Sequence, residues 1–323
     1  MRRGDGEGGL REDPHDGPVG GVRRAAIIGT LVTLLAFVLG GCSALRVAYN
    51  TGPQLAWWWI DGYFDFSREQ APRVKDAIER WFDWHRQTQL PAYAALLAAT
   101  RARIGEPLTP AATCEWNNRV VDLLNPALTR GLEQAAELLP GLGEAQLRHL
   151  EQRYAKVIDE MRDEYLQADP AERLAASVKR TVTRAEQLYG KLEEPQRKLI
   201  ADGVAASPFD PQAWMQERLR RQQDTLATLR RLLAERADRD QRVSALRALA
   251  ERSQRSPDPT YRAYQVRLTD YNCAFAARVH NATTMAQRQR ASANLKDWED
   301  DLRAVIAAGA TPAGTTSDPA ASR

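Results

Sequence analysis

The amino-acid sequence predicts an all-α protein, a multi-helix bundle of about eight to ten amphipathic helices. Three observations predict this class. Beyond Gly52, large apolar residues recur at steps of three and four, which is the period of one helix face. No stretch alternates apolar and polar residues for long enough to indicate a strand. Proline and glycine interrupt the pattern where helices are expected to end, as at Pro140-Gly141 and Asp169-Pro170.

Five apolar stripes carry the helical pattern in the second half of the chain. In chain order they are Leu147, Leu150, Tyr154, Val157, Met161 and Tyr165; Leu174, Val178, Val182, Ala185 and Tyr189; Met215, Leu219, Leu226, Leu229 and Leu233; Val243, Leu246 and Leu249; and Tyr261, Tyr264, Leu268, Tyr271 and Phe275. Stripes of this width bury against neighbouring helices, so a helical domain is predicted over residues 53–307.

The last helix has its own start signal. Thr284 and Gln287 match a capping box, in which each side chain satisfies the other residue's backbone amide, and they predict a helix that begins there. Residues 308–323 hold no large apolar side chain and many Gly, Thr, Ser and Pro. They are predicted to form a disordered tail.

The residues that end at Cys42 resemble a bacterial lipoprotein signal peptide with its lipobox. Arg23-Arg24 precede an apolar stretch over residues 27–39, and Leu39-Gly40-Gly41-Cys42 closes it. The resemblance implies that residues 1–41 are removed and that the Cys42 thiol, a strong nucleophile, carries a diacylglycerol group. Residues 42–52 would then be a lipidated tether to the membrane.

The alternative to a cleaved signal is a transmembrane anchor. Residues 25–45 carry no charge, and a spanning helix needs roughly 20 apolar residues. The two glycines before Cys42 disfavour such a helix, so we expect cleavage. Ser43 follows the modified cysteine and, by resemblance to lipoprotein sorting in Gram-negative bacteria, indicates the outer membrane, facing the periplasm. Residues 1–21 are acidic and glycine-rich, unlike a signal n-region, which suggests a misassigned start with translation from Val22.

The charge balance and the motif search restrict the possible functions. The formal net charge is +3, and the 27% of charged residues are of mixed sign, so the sequence does not indicate a nucleic-acid binder. The chain has no His-Glu-x-x-His, Gly-x-Ser-x-Gly, Walker or Cys-x-x-Cys motif. We therefore expect no cofactor and no metal, and an enzymatic role is the less favoured hypothesis.

A small set of polar residues forms the best candidate for chemistry. Asp61, Asp65 and Glu69 are four residues apart and would share a helix face if the helix continued that far. Such carboxylates, with His85, could perform acid–base chemistry on a glycan or hold a cation. The alternative is a solvated face, or partners for nearby arginines. His280 is a further candidate, although an isolated histidine more often caps or lies at the surface.

Trp57, Trp58 and Trp59 are the most unusual feature of the predicted helical domain. Three consecutive residues of a helix spread over about 200° of arc, so one face cannot bury them all. Tryptophan is mostly buried in proteins, which favours core packing. Trp57 lies only 15 residues after Cys42, within about 50 Å of extended chain. The remaining tryptophans could therefore meet the membrane interface or a partner.

Cys114 and Cys273 are the two cysteines left once Cys42 is lipidated. An even pair in an oxidising compartment favours a disulfide, and two buried free thiols are the alternative.

Two blocks of the chain resemble an uncharacterised family of proteobacterial lipoproteins that carries only a domain-of-unknown-function label. The first runs from Tyr49-Asn50 through Trp58-Trp59, Asp61, Tyr63, Asp65-Phe66, Trp81-Phe82-Asp83-Trp84-His85-Arg86, Leu90-Pro91 and Tyr93 to Cys114 and Trp116. The second holds Tyr271-Asn272-Cys273, His280-Asn281, Thr283-Thr284, Gln287-Arg288 and Trp298. The resemblance implies no activity, and it favours the disulfide because both cysteines lie in matching blocks.

A weaker likeness concerns two five-residue segments, Leu142-Gly143-Glu144-Ala145-Gln146 and Leu192-Glu193-Glu194-Pro195-Gln196. They are similar to the Leu-Thr-x-x-Gln turns of small periplasmic helical chaperones, but Gly143 and Glu193 replace the threonine. The alternative is two helix starts with glutamine at the third position.

The function expected from the sequence is that of a lipid-anchored, non-enzymatic envelope protein, with an envelope protein or the cell wall as possible partner. An envelope enzyme and a chaperone-like protein are the alternatives.

Overall fold

The computed structural model describes residues 44–310, and within them it confirms the all-α class. The described part holds twelve α-helices and a 3₁₀ turn, with no strand, so the helices outnumber the eight to ten that we expected. The predicted signal peptide, the lipidation site Cys42, Ser43 and the tail from residue 311 lie outside the described residues. Within the described part, no helix is both long and apolar enough to cross a membrane.

The helices are α1 (Ala44–Asn50), α2 (Gly52–Phe64), α3 (Ala71–Thr88), α4 (Leu90–Arg103), α5 (Pro110–Leu138), α6 (Glu144–Tyr165), α7 (Pro170–Tyr189), α8 (Glu194–Ala205), α9 (Pro211–Ala234), α10 (Arg239–Gln254), α11 (Pro259–Asn281) and α12 (Met285–Ala310). The 3₁₀ turn, Leu139–Gly141, follows α5. Proline lies in the first turn of α4, where it has no amide to continue the ladder of α3. This break separates two helices that the periodicity alone does not divide.

The predicted tether is partly helical in the structure. Residues 44–50 form α1, and Leu45 and Tyr49 pack against a core cluster that α4 and α12 build. Thr51 keeps a helical conformation, with its amide donating to Val47 O at 3.0 Å, so α1 and α2 run almost continuously. At the other end, α12 continues to Ala310, three residues beyond the predicted boundary.

Short polar side chains start most of the later helices, as their sequence positions require. The N-cap side chains that accept a backbone amide from the first turn belong to Thr109, Asp169, Asp210, Asp238 and Asp258. Each cap satisfies a donor that a helix start otherwise leaves without a partner. In four of these five helices a proline follows the cap directly, where its missing amide costs nothing.

The capping box at the start of α12 is confirmed, and its glutamine makes a longer-range contact. Thr284 N donates to Gln287 Oε1 at 2.9 Å, and Gln287 N donates to Thr284 Oγ1 at 3.2 Å. The Gln287 amide also exchanges two hydrogen bonds, at 2.7 and 2.8 Å, with Gln196 at the start of α8. Its Nε2 donates to Lys191 O at 3.0 Å. The two helix starts are thereby joined.

A second pair of helix starts repeats this arrangement. Gln70, just before α3, and Gln146, in the first turn of α6, exchange hydrogen bonds at 3.1 and 2.9 Å. Gln70 Nε2 also donates to Gly141 O, as Gln287 donates to Lys191 O. The two segments that resemble chaperone turns are therefore helix starts whose third-position glutamine bonds to the cap amide, and each glutamine meets another helix start.

Within residues 44–310, four clusters of buried apolar residues form the core. The largest joins α5, α6, α9 and α10, and the next pairs α4 with α12. A third lies between α2 and α3, and a fourth joins α7 and α8 to Phe275 and Val279 of α11.

The predicted disulfide is present. Cys114, in the second turn of α5, is bonded to Cys273 in the middle of α11, with 5.3 Å between the Cα atoms. The bond joins positions 159 residues apart and holds together two helices that pack side by side. The alternative of two free thiols is thus wrong.

Candidate functional site

The three consecutive tryptophans of α2 divide between the core and the surface. Trp57 is buried, with its ring stacked on Phe66 at 5.9 Å between centroids and the Lys75 ammonium 4.7 Å from its centroid. Trp58 and Trp59 are exposed by 61% and 66%. The sequence predicted that one helix face could not bury all three rings, and the structure confirms this, with one ring buried and two exposed.

The exposed tryptophans belong to a wider apolar surface, which we name the α1–α2 face. Its members are Val47, Leu55, Trp58 and Trp59, which are exposed by 48% to 66%. Because α1 and α2 are almost continuous, these positions fall within about 120° of arc on one side of the helix. Val47 follows Cys42 by five residues, at most about 18 Å of chain. An unpartnered apolar surface thus begins close to the predicted lipidation site.

His85 lies inside an aromatic cluster near the end of α3. Its ring stacks on Trp81 at 4.6 Å and meets the edge of Tyr93 at 5.4 Å. Tyr49 OH lies 3.1 Å from both His85 Nδ1 and Phe82 O. Burial lowers the pKa of His85. Burial is also the largest influence on Tyr49, and it raises the pKa of that hydroxyl to about 12. Both groups are therefore neutral near pH 7, and the cluster acts as packed core.

The structure does not bring Asp61, Asp65 and His85 together. Asp61 Oδ1 accepts from Phe66 N at 3.0 Å, and the amide of Asp65 donates to Asp61 O at 2.7 Å, so both residues close the end of α2. Asp65 has a left-handed backbone with φ of 49°. His85 is fourteen residues into α3, about 20 Å along that helix. Since α2 ends at Phe64, the four-residue spacing does not produce a shared face.

His280, the other histidine candidate, is buried with both ring nitrogens engaged. Nε2 lies 2.8 Å from Glu106 O, and because a carbonyl only accepts, Nε2 carries the proton. Nδ1 is then free to accept from Tyr189 OH at 2.8 Å. Burial lowers the pKa of His280 and raises the pKa of Tyr189 to about 12. The pair is a neutral, satisfied hydrogen-bond unit.

The residues that follow His280 hold the loop between α4 and α5. Asn281 exchanges two hydrogen bonds with the backbone of Leu108, both at 2.8 Å. Arg288 Nη1 donates to Gly105 O at 2.8 Å. Together with the contact to Glu106, these bonds fix the loop that leads into the disulfide-bearing end of α5. The second block of the resemblance is therefore a structural clamp.

A buried ionic cluster on α9 was not identified from the sequence. Glu217 accepts hydrogen bonds from Arg220 at 2.8 Å, Arg221 at 2.9 Å and Ser256 at 3.0 Å. Burial alone would raise the pKa of Glu217, but these three donors outweigh it and hold the pKa below its usual value. The spacing of three and four between Glu217 and the arginines is the signal that could have indicated it.

Within residues 44–310, no three His, Cys, Asp or Glu side chains lie close enough together to hold a metal ion. A model of a family described as "Family of unknown function (DUF6279)" matches residues 62–262, well over half of the chain. No curated protein and no solved structure gives a significant match.

Proposed function

The chain belongs to this family of unknown function, and we propose that it is a lipid-anchored protein of the bacterial outer membrane, facing the periplasm, with a non-enzymatic binding or structural role. Lipid on Cys42 would hold the protein to the membrane. Two or more acyl chains on one residue give stable attachment, whereas a single chain does not. The partner would be an envelope protein or the cell wall, and it would bind to the broad helical surfaces of the domain.

The observation that carries this proposal is the α1–α2 face. Tryptophan side chains are enriched at membrane–water interfaces, where the ring lies among headgroups and the indole nitrogen stays hydrated. Trp58 and Trp59 are exposed on the helix that follows the proposed anchor almost without interruption. An anchored chain would hold this face against the lipid surface, so the exposed rings would gain an apolar environment.

Two further features support the proposal. A disulfide forms and persists in oxidising compartments such as the periplasm, and Cys114 and Cys273 are bonded. The alternative of an enzyme built on Asp61, Asp65 and His85 loses its main support. Asp61 closes the end of α2 with its carboxylate and Asp65 with its backbone amide, whereas His85 is enclosed by aromatic rings. A binding role therefore agrees better with the residues at hand.

Mass spectrometry of the protein extracted from membranes tests the anchor. We expect an N-terminal peptide that begins at Cys42 and carries a diacylglyceryl group and an amide-linked acyl chain, recovered with the outer-membrane fraction. A polypeptide that begins upstream of Cys42, or one without fatty acid, would overturn the anchor. Recovery of the acylated protein with the inner membrane would overturn only the predicted location.

Fluorescence quenching tests the membrane contact of the α1–α2 face. The acylated protein would be reconstituted into phosphatidylethanolamine and phosphatidylglycerol vesicles whose chains carry bromine, which quenches indoles within contact distance. We expect Trp58→Phe to remove part of the quenched emission. Trp298→Phe is the matched control, since Trp298 is also exposed but lies on α12, which packs on α3, α4 and α7. Equal loss in the two variants would contradict contact through this face.

A further inference from the structure

A large apolar cavity lies between α2, α3 and α5, with α9 and α10 closing its inner wall. Its volume is about 480 Å³, and side chains such as Ile60, Ile78, Leu139 and Leu229 line it. None of the lining residues is charged, and Gln134 supplies the one amide side chain among them. The cavity separates the core cluster of α2 and α3 from the large cluster of α5, α6, α9 and α10.

The cavity is open to solvent on one side, and its walls are almost entirely apolar. Protein interiors contain few voids larger than a water molecule. A buried water needs two to four polar partners, which this lining does not offer. Trp81 has an indole N–H in the wall, but it already donates to Ala127 O at 3.0 Å. The cavity is therefore suited to an occupant that makes no hydrogen bonds.

The volume indicates how large that occupant is. An apolar cavity of about 150 Å³ holds benzene, a molecule of six carbons. The cavity here, at about 480 Å³, is roughly three times as large and would hold about eighteen carbons on the same scale. This is the size of one hydrocarbon chain of a membrane lipid. An extended peptide fits less well, because its backbone amides and carbonyls would have no partners.

The opening of the cavity lies between α2 and α5. Trp59 and Ala135 are the lining residues that solvent reaches most freely. On α5, an exposed apolar stripe leads towards this opening. The stripe consists of Val121, Leu124 and Leu128, and it continues into the lining residues Gly131 and Ala135. All five share one side of the helix, because they are spaced by three and four residues. An apolar track thus runs along α5 into the cavity, and the exposed ring of Trp59, a member of the α1–α2 face, lines the same opening.

We infer that this cavity binds the hydrocarbon chain of a membrane lipid, held non-covalently, with the headgroup left outside the opening between α2 and α5. The uncharged lining selects the chain, and the exposed stripe of α5 provides its path. The membrane as the source of the lipid rests on the proposed function, since the α1–α2 face borders the same opening. Binding of the hydrocarbon chain itself does not depend on acylation of Cys42.

Two lining positions on α5 have room for a larger side chain. A Cβ at Gly131 would meet only Trp81 Nε1, at 3.8 Å, and Ala135 lies at the exposed opening. The variant Gly131→Leu/Ala135→Leu therefore places two larger side chains in the cavity and replaces a helical glycine with a better helix former. Gly62→Leu/Ala155→Leu is the matched control, because both positions are exposed on helices and neither lines the cavity.

The test measures binding of cis-parinaric acid, a fatty acid that fluoresces in apolar surroundings, to the full chain in a bile-salt detergent without an alkyl chain. We expect saturable binding of one molecule per chain to the wild type and the control variant, with displacement by stearate. The cavity variant should bind at least tenfold more weakly while it melts at the same or a higher temperature. Equal affinity in all three proteins, or emission that never saturates, would overturn the inference.

Two further readouts separate other occupants. If the wild type is a dimer and the cavity variant a monomer, with unchanged fatty-acid affinity, the cavity is an interface between copies and the inference is wrong. Cys42→Ser protein should bind the probe as the acylated protein does. Binding only after this substitution would show that the protein's own acyl chain fills the cavity, which also overturns it. Failure to find acylated Cys42 would overturn the proposed function but leave the binding result intact.

Discussion

Replacement of His280 by alanine is expected to lower the free energy of unfolding by about 3 kcal/mol. The change removes hydrogen bonds to Tyr189 and to the Glu106 carbonyl, each at 2.8 Å. A typical hydrogen bond contributes about 1 kcal/mol net, and a buried hydroxyl left without a partner costs about 1–3 kcal/mol. The Tyr189 hydroxyl becomes such a group, because Tyr189 is itself buried.

A double-mutant cycle assigns that loss to the pair. Tyr189→Phe alone should cost about 1–2 kcal/mol, because it leaves the acceptor Nδ1 of His280 unsatisfied. In the His280→Ala background the same substitution should be neutral or stabilising, because it removes a hydroxyl that already lacks its partner. The two residues should therefore couple by about 2 kcal/mol. Urea denaturation followed by far-UV circular dichroism measures all four free energies, with His149→Ala, a partly exposed histidine, as the control.

The pH dependence provides a second measurement. Burial lowers the pKa of His280, so the native state binds a proton less readily than the unfolded chain, whose value is about 6.5. Stability is then full above about pH 6.5 and falls as the pH drops below it towards the native pKa. The cost of His280→Ala should consequently be smaller at about pH 5.5 than at about pH 7.5. A cost below about 1 kcal/mol, or one that grows at acid pH, would refute this account.

Three further substitutions have defined outcomes. Cys114→Ser/Cys273→Ser should lower the free energy of unfolding by up to about 5 kcal/mol, the chain-entropy value for a loop of 159 residues. Gly203→Ala should lower the melting temperature, because its Cβ would overlap the ring of Phe275, which packs against α8. Gln196→Leu should cost about 2–3 kcal/mol, because it removes both hydrogen bonds to the buried Gln287 amide and the side-chain donor of the Ala282 carbonyl.

Matched controls make these outcomes decisive. Reduction should destabilise the wild type by as much as the double cysteine substitution does, and it should not affect the double variant. Equal stability of the oxidised wild type, the reduced wild type and the double variant would contradict the disulfide prediction. Gly62→Ala, at an open position of α2 with no atom near the new Cβ, should leave the melting temperature unchanged or raise it. Loss of stability there as large as at Gly203 would show that glycine itself, rather than the Phe275 contact, is responsible.

The helices were predictable because their signals are local. The apolar period and the prolines lie within a few residues of the helices that they specify. The same is true of the capping box at Thr284 and Gln287, which forms as expected. The disulfide was predictable from two cysteines because a pair has only one intramolecular connectivity. By contrast, the end of α2 was not: the carboxylate of Asp61 closes that helix at Phe64, which removes Asp65 and Glu69 from the face that their spacing suggests.

Long-range partners explain what the sequence did not predict. The role of His280 depends on Tyr189 and Glu106, which are 91 and 174 residues away, and no local pattern reports either contact. The exposure of Trp58 and Trp59 depends on which side of α2 the other helices cover, so the sequence could state only that the rings must divide. The cavity is a property of five helices together and has no sequence signal of its own.

The folding unit extends beyond the segment that the family model matches. That segment, residues 62–262, contains Cys114 but not Cys273, which lies on α11. It also lacks α12, the main neighbour of α4, so the buried face of Leu90 and Ala94 would be exposed in its absence. The tryptophans of α2 lie outside it at the other end. A fragment limited to these residues would lack the disulfide, the clamp on the α4–α5 loop and one wall of the cavity. The helices on both sides of the matched segment are therefore part of the same core, and any function that uses the α1–α2 face or the cavity belongs to the longer unit.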